Sequence, residues 1–400
     1  MSARPEVAFV VQRYGPDIAG GSEALARAVA DRLSPTHRIT VFTTCARDYV
    51  TWRNELSRGR EERDGVVVRR FPVEEERDLS AFNAFSETLY DQPHTAEEEL
   101  QWLRRQGPYV PQLVEALGED ADRFSAVVFF TYLYYPTYWG LKAAPGRAIL
   151  VPTAHDEPPL RFGLYREVFA LPRAFAFLTP AEERMVRGRF DLGAKPAVVA
   201  GMGVDVPEAP DVAALRARHG LARPYIIYAG RIDAGKGCAE MLAFYDRHRQ
   251  TAEDSPDLVL IGRLALREAL PPGVRYVGYL SEEEKAAAIA GARVVVCPSS
   301  YESFSIVLLE GMALGVPGLV NAHSEVLKDH CLRSNAGLFY DDADEFGEAL
   351  DLLVRRRSLR EALGENGRAY VREHYRWEVV LDRWRSLLDL VPSSASRLPR

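Results

Sequence analysis

Short runs of β-branched and aromatic residues alternate along this chain with stretches whose apolar positions recur every three or four residues. The first series of runs predicts strands at 7–12, 38–43, 66–71, 126–130, 148–152, 174–178 and 198–200. Helical patterns lie between them, such as "SEALARAVADRLS", in which Leu25, Val29 and Leu33 share one face. A second series predicts strands at 225–229, 258–261, 274–277, 294–297 and 318–320. This alternation is the mark of parallel sheets covered by helices on both faces. Two series predict an α/β protein with two doubly wound domains.

The segment "GMGVDVPEAPDVAALRARHGLARP" (201–224) is rich in Gly, Pro and Ala and separates the two series. The hinge is placed near residue 205, giving domains at 1–205 and 206–376. The last helical pattern, "WEVVLDRWRSLLDLV" (377–391), has no strand to serve and is expected to cross back to the first domain. Segment 377–400 then ends in the polar tail "PSSASRLPR", expected to fray. The 400 residues suit two cores of roughly 200 each.

Hydrophobic content of 47% and charged content of 27% mark a globular chain. A net charge of −7 argues against a nucleic-acid partner. It leaves room for one cationic pocket. Cys45, Cys238, Cys297 and Cys331 are scattered, without metal-ligand spacing, and read as buried thiols in a reducing compartment. The start "MSARPEVAFVVQRYG" is too short in its apolar run for a secretion signal. The chain has no apolar stretch as long as a membrane span. A soluble, cytoplasmic protein is expected; peripheral contact with the inner face of a membrane would leave no mark in a linear reading.

Open α/β sheets bind ligands at the carboxyl ends of their strands, so candidate chemistry is sought there. After the first strand comes "RYGPDIAGGSEALAR". Gly20 and Gly21 allow either close approach of a ligand to the helix start or a plain strand–helix turn capped by Ser22. After the first strand of the second series comes "YAGRIDAGKG" (228–237). Arg231 and Lys236 on this glycine-rich turn suit a diphosphate: a guanidinium binds two oxygens and the ammonium neutralises further charge. A solvated loop paired with Asp233 would explain the charges, but not Gly230, Gly235 and Gly237. The nucleotide-binding Gly-x(4)-Gly-Lys-Ser/Thr order is absent.

The stretch "SSYESFSIVLLEGMALGVP" (299–317) places carboxylates at both ends of an apolar run. Glu302 lies at a strand's carboxyl end. Ser303 or Ser305 is expected to cap the next helix, with backbone amides 303–306 pointing into the cleft. Taken as helical, eight residues at about 100° each bring Glu310 within roughly 80° of Glu302. Both carboxylates would then reach one ligand. Glu302 also reads as a first-turn acid favoured by the helix dipole. Glu310 has no such ready explanation, because carboxylates are rarely buried without a partner.

"GRIDAGKG" followed by "PSSYESFSIVLLEGMALGVP" resembles the retaining glycosyltransferases of family 4, with their Glu, seven residues, Glu signature. "AGGSE", "HDEP" (155–158), "GMGVD" (201–205) and "GLFYDDADEFGEAL" agree with it. The resemblance implies a GT-B fold, with two Rossmann-like domains facing across a cleft and a C-terminal helix crossing back. It further implies that Arg231 and Lys236 hold the donor diphosphate and Glu310 bonds the ribose. Glu302 and the amides of Ser303, Phe304 and Ser305 would contact the donor sugar and β-phosphate. His155 would line the sugar pocket, with Gly20 and Gly21 near the phosphate. The family often has Gly-Gly-x-x-Glu after the "VP" strand; here "VNAHSEVL" leaves donor contacts from 321–325 open.

The expected co-substrate is a nucleotide-diphosphate sugar of UDP or GDP type, with no other cofactor. Fixed cations aimed at the leaving diphosphate lower the barrier most, so a metal-independent enzyme with no metal site is expected. The acids Asp341, Asp342, Asp344 and Glu345 read as a helix start. His155 is either a general base or a polar wall residue. The acceptor is expected to be a glycan or lipid-linked chain in cell-envelope polysaccharide assembly. Within "FFTYLYYPTYWG" (129–140), Tyr132 and Trp139 either line its groove or pack the local core. Two alternatives stand beside this: another GT-B enzyme such as a sugar-nucleotide epimerase, or a non-catalytic sugar-nucleotide-binding relative.

Overall fold

The computed structural model describes residues 4–18, 20–252, 254–266 and 269–390. Ala19 of the first glycine loop and the tail 392–400 lie outside these residues. The chain divides into two compact units, Met1–Gly201 with Leu381–Arg400, and Met202–Val380.

The first unit holds strands β1 (Glu6–Val10), β2 (Arg38–Thr44), β3 (Gly59–Arg63), β4 (Val66–Phe71), β5 (Ala126–Phe130), β6 (Ala148–Val151), β7 (Ala174–Phe177) and β8 (Ala197–Val199). They form an eight-stranded sheet in the order β3-β4-β2-β1-β5-β6-β7-β8. All neighbours run parallel except β3 and β4. β3, "GREER", is exposed at every position and shows no apolar alternation, so the hydrophobic pattern missed it. Its signal was the turn: Asp64 and Gly65 both take positive φ, as a two-residue hairpin needs. Its charges suit an open sheet edge.

The second unit holds β9 (Tyr225–Ala229), β10 (Asp257–Ile261), β11 (Val274–Gly278), β12 (Val295–Cys297), β13 (Gly318–Asn321) and β14 (Gly337–Tyr340). Their order is β11-β10-β9-β12-β13-β14, parallel throughout. β14 is a short, half-exposed edge strand that was not anticipated. In both sheets the connections run in opposite directions from a central pair, β1 with β5 and β9 with β12. Beyond the carboxyl ends of such a pair lies the crevice where these sheets take ligands.

The terminal helix Trp377–Leu390 starts in the second unit, where the Trp377 indole donates to Asp205 at 2.8 Å. From Leu381 onward it groups with the first unit, as the crossing expected from sequence. There Trp384 is fully buried against Phe9 and Phe130. All four cysteines are buried and unbridged. Among the described residues no helix is long and apolar enough to cross a membrane.

Candidate functional site

In the second unit the β9 and β12 loops carry the basic and acidic residues that the sequence singled out. After β9 the chain makes a single 3-10 turn, Ala234–Lys236, and enters the helix Cys238–Thr251. Asp233 caps this turn by accepting from the Lys236 amide at 2.9 Å, and it also accepts from the Arg231 guanidinium. Gly237 has φ +71°, and a Cβ there would lie 2.3 Å from the Pro298 carbonyl oxygen. Only glycine lets these two loops approach so closely. Asn321, the last residue of β13, donates to the same Pro298 oxygen at 3.0 Å. Sequence reading did not single it out.

Across this contact the Lys236 ammonium meets Glu302, with Nζ 2.7 Å from Oε1. Both side chains keep some solvent exposure. The helix that follows runs Ile306–Leu314, so 302–305 are not helical and the angular argument linking Glu302 to Glu310 fails. The expected serine cap is also corrected. Ser305 stands at the N-cap with φ +63° and makes no capping bond. Ser303 precedes it in the loop and does not cap. Phe304 turns its ring into the core against Tyr375, and His330 Nε2 lies 3.1 Å from its carbonyl oxygen. Burial holds His330 down at about 4, so the imidazole stays neutral.

Glu310 lies elsewhere in the second unit, beside the helix Glu282–Ala290. It is 7% exposed, and its Oε1 accepts from Lys285 Nζ at 2.9 Å. Its Oε2 is buried without a hydrogen-bond partner. Lys285 also meets Glu282 at 2.5 Å. Burial pushes the Glu310 carboxyl above its ordinary range, with Lys285 pulling the other way. These groups line a cavity of about 340 Å³ whose other walls include Val206, Pro207, Ile289 and Leu314. An open pocket with apolar walls, carboxylates of Asp205, Glu282 and Glu283 beside them, and one orphaned oxygen on Glu310 can receive a hydroxyl donor. Lys285 is a second residue that sequence reading missed; its signal was a lone cation in "EEEKAAAIA".

In the first unit, Gly20 is demanded by the fold. Its φ is +151°, and a Cβ would lie 2.1 Å from the Glu23 carboxylate. At Gly21, the first residue of the helix Gly21–Leu33, a Cβ would meet nothing within 4 Å. Glu23 is 5% exposed and accepts from Arg13 and from Gln12 at 3.0 Å, locking the β1 loop to the helix start. His155 Nε2 lies 3.4 Å from Glu157. Its loop is held from behind by Glu182, 1% exposed, which accepts from the amides of Ala154 at 2.7 Å and Leu178 at 2.6 Å. Burial raises the Glu182 carboxyl to about 8. No linear motif marks Glu182, because its role is set by a chain crossing 28 residues away.

Tyr132 is corrected from groove to core. It is buried edge-on against Tyr165, and its hydroxyl donates to Glu157 at 2.8 Å. Trp139 packs partly buried against the same core, with the Lys142 ammonium over its ring at 5.0 Å. Asp342 caps the helix Ala343–Arg355, accepting from the amides of Asp344 and Glu345, as a helix-start acid should.

Residues 212–370 match the family Glycosyl transferases group 1. Among curated proteins, the phosphatidyl-myo-inositol mannosyltransferase of Propionibacterium freudenreichii subsp. shermanii is 33% identical over 188 residues, 46% of this chain and 48% of that protein. The match therefore spans about half the length of that relative. Among solved structures, sucrose-phosphate synthase from Thermosynechococcus elongatus superposes with TM-score 0.71 at 19% identity, covering 97% of this chain and 99% of that one. Anabaena HepE in complex with UDP and glucose gives 0.69 at 15% identity, covering 96% and 100%. The chain thus has the fold of the GT-B glycosyltransferases, and its segment 212–370 carries the group 1 glycosyltransferase match.

Proposed function

We propose that this protein is a retaining, metal-independent glycosyltransferase. It would move a sugar from a nucleoside-diphosphate sugar, UDP or GDP type, to a glycan or lipid-linked acceptor in envelope polysaccharide assembly. The observation that carries the reading is the 2.7 Å contact of Lys236 with Glu302 at the carboxyl ends of β9 and β12. A cation and a carboxylate on adjoining loops of a switch point match a substrate with a diphosphate beside a hydroxylated ring.

In this reading the diphosphate takes the place of Glu302 at Lys236, with Arg231 adding a forked donor. Glu302, released from Lys236, accepts from the sugar hydroxyls, while the amides of Ser303, Phe304 and Ser305 face the phosphate. Glu310 accepts from a ribose hydroxyl through its orphaned Oε2. The acceptor oxygen attacks the anomeric carbon from the face that the diphosphate leaves. The carbon–oxygen bond to phosphate breaks as the glycosidic bond forms, and the acceptor proton passes to a phosphate oxygen. Configuration is retained with no protein nucleophile. From the first unit His155 lines the sugar pocket, with Gly20 and Gly21 near the phosphate, and the acceptor enters from the same unit. The mannosyltransferase named above, and the UDP held by HepE, support a nucleotide-sugar donor.

The test is a thermal-shift screen of UDP, GDP, ADP and their sugars, followed by transfer assays on the stabilising donor. Lys236→Ala should lower kcat by about a hundredfold or more, the scale of losing one fixed donor at developing charge. Turnover of the variant at the wild-type rate, or failure of every nucleotide to stabilise the protein, would overturn the proposal.

A further inference from the structure

The chain carries a net charge of −7, yet five arginines converge on one groove of its first unit. The groove, about 440 Å³, runs along the β2, β4 and β3 edge of the sheet. Arg58, Arg60, Arg69, Arg70 and Arg123 line it, with Asp120 the one carboxylate in its wall. We propose that this groove binds an oxyanion, a phosphate group carried either by a soluble molecule or by a lipid headgroup.

Two of the arginines are held in place by carboxylates. Arg69 is bound by Asp120 and lies over the rings of Phe42 and Phe71 at 4.7 and 5.5 Å. Arg123 meets Asp120 at 2.9 Å and Glu6 at 3.7 Å. A third, Arg70, has a side chain only 10% exposed. Its Nη2 donates to the Tyr14 carbonyl at 3.0 Å and meets Glu61 at 3.0 Å, but its Nη1 is buried without a hydrogen-bond partner. A buried guanidinium nitrogen left unmatched is costly, and an oxygen acceptor in the groove would relieve it.

The side chains of the remaining two, Arg58 and Arg60, make no ion pair or hydrogen bond among the described residues. They flank Gly59, whose missing side chain leaves open space; Arg60 is the second residue of β3 and Arg58 immediately precedes the strand. Charged residues protect an open sheet edge, which accounts for the mixed signs of "GREER". It does not account for gathering five like charges around one concave surface, where they repel one another. Forked donors around a cavity are the arrangement that recognises phosphate oxygens. This inference concerns the first unit alone and stands or falls apart from the transfer chemistry.

The full-length protein, R58Q/R60Q and R58K/R60K are titrated with inorganic pyrophosphate by calorimetry. They are also co-sedimented with phosphatidylcholine vesicles made with and without phosphatidylglycerol. Arg60 lies on the exposed strand β3, which is held by backbone pairing, and Arg58 precedes that strand, so the variants should keep the wild-type melting temperature. Affinity for at least one probe should fall about tenfold or more in R58Q/R60Q and recover in R58K/R60K. Loss confined to pyrophosphate identifies a soluble ligand, and loss confined to the anionic vesicles identifies a headgroup. Equal binding of both probes by wild type and R58Q/R60Q overturns the proposal, as does pyrophosphate binding abolished by Lys236→Ala alone.

Discussion

The ammonium of Lys285 lies 2.9 Å from Oε1 of Glu310, inside a cavity whose remaining lining is largely apolar. The pair explains how a carboxylate can sit in the core of "IVLLEGMAL" and keep one oxygen for a ligand. Lys285→Met removes the cation, and the raised titration of Glu310 moves further up. Stability should fall by about 2 kcal/mol, below the usual cost of breaking a buried pair because Glu310 can take up a proton. If Glu310 bonds the ribose as proposed, the donor KM should rise about tenfold or more with kcat little changed, since such a contact serves binding rather than the reacting bond. In the variant, donor affinity should climb with pH as Glu310 ionises. K285M/E310Q should regain stability without regaining affinity. A pH-independent donor KM in K285M would show that Lys285 does not govern Glu310.

Gly237 joins the two loops that carry Lys236 and Glu302. Gly237→Ala must strain a backbone at φ +71° and also move the Pro298 carbonyl, 2.3 Å from the new methyl group. We expect a loss of about 2 kcal/mol in chemical denaturation, the sum of a left-handed alanine and a shifted loop. Activity should fall by more than the stability loss predicts, because the Lys236–Glu302 distance depends on this contact. An alanine variant with wild-type kcat/KM would mean the two loops are positioned independently.

Glu182 predicts a pH dependence of stability. Its carboxyl is raised from 4.5 to about 8 by burial, so the folded chain holds a proton that the unfolded chain has released across that interval. The stability that this group contributes is full below the unfolded value and is lost as pH rises toward about 8. The slope is at most about 1.4 kcal/mol per pH unit. Glu182→Gln should flatten the dependence of the urea midpoint between about pH 5 and pH 8. It should also cost about 1–2 kcal/mol at low pH, since an amide cannot accept from both Ala154 and Leu178. An unchanged pH profile would show that Glu182 is not the titrating group.

Sequence alone determined the two sheets, because a strand buried on both faces must be a run of apolar residues wherever it pairs, as "VAFV", "YIIYA" and "DLVLI" are. It also marked the strand-end loops, where glycines and charges interrupt those runs. It missed the edge strands β14, short and half-exposed, and β3, whose stability comes from one neighbour's backbone and a hairpin turn. Tertiary structure decided which charge meets which: Lys236 with Glu302 across 66 residues, Lys285 with Glu310 across 25, and Glu182 with the His155 loop across 28. It also turned Tyr132 inward, though its run read as groove or core, and put the Phe304 ring against Tyr375. The reason is physical. Hydrophobic burial follows local periodicity and is written into each segment, whereas the partner of a charge is fixed only when separate strands have brought their ends together.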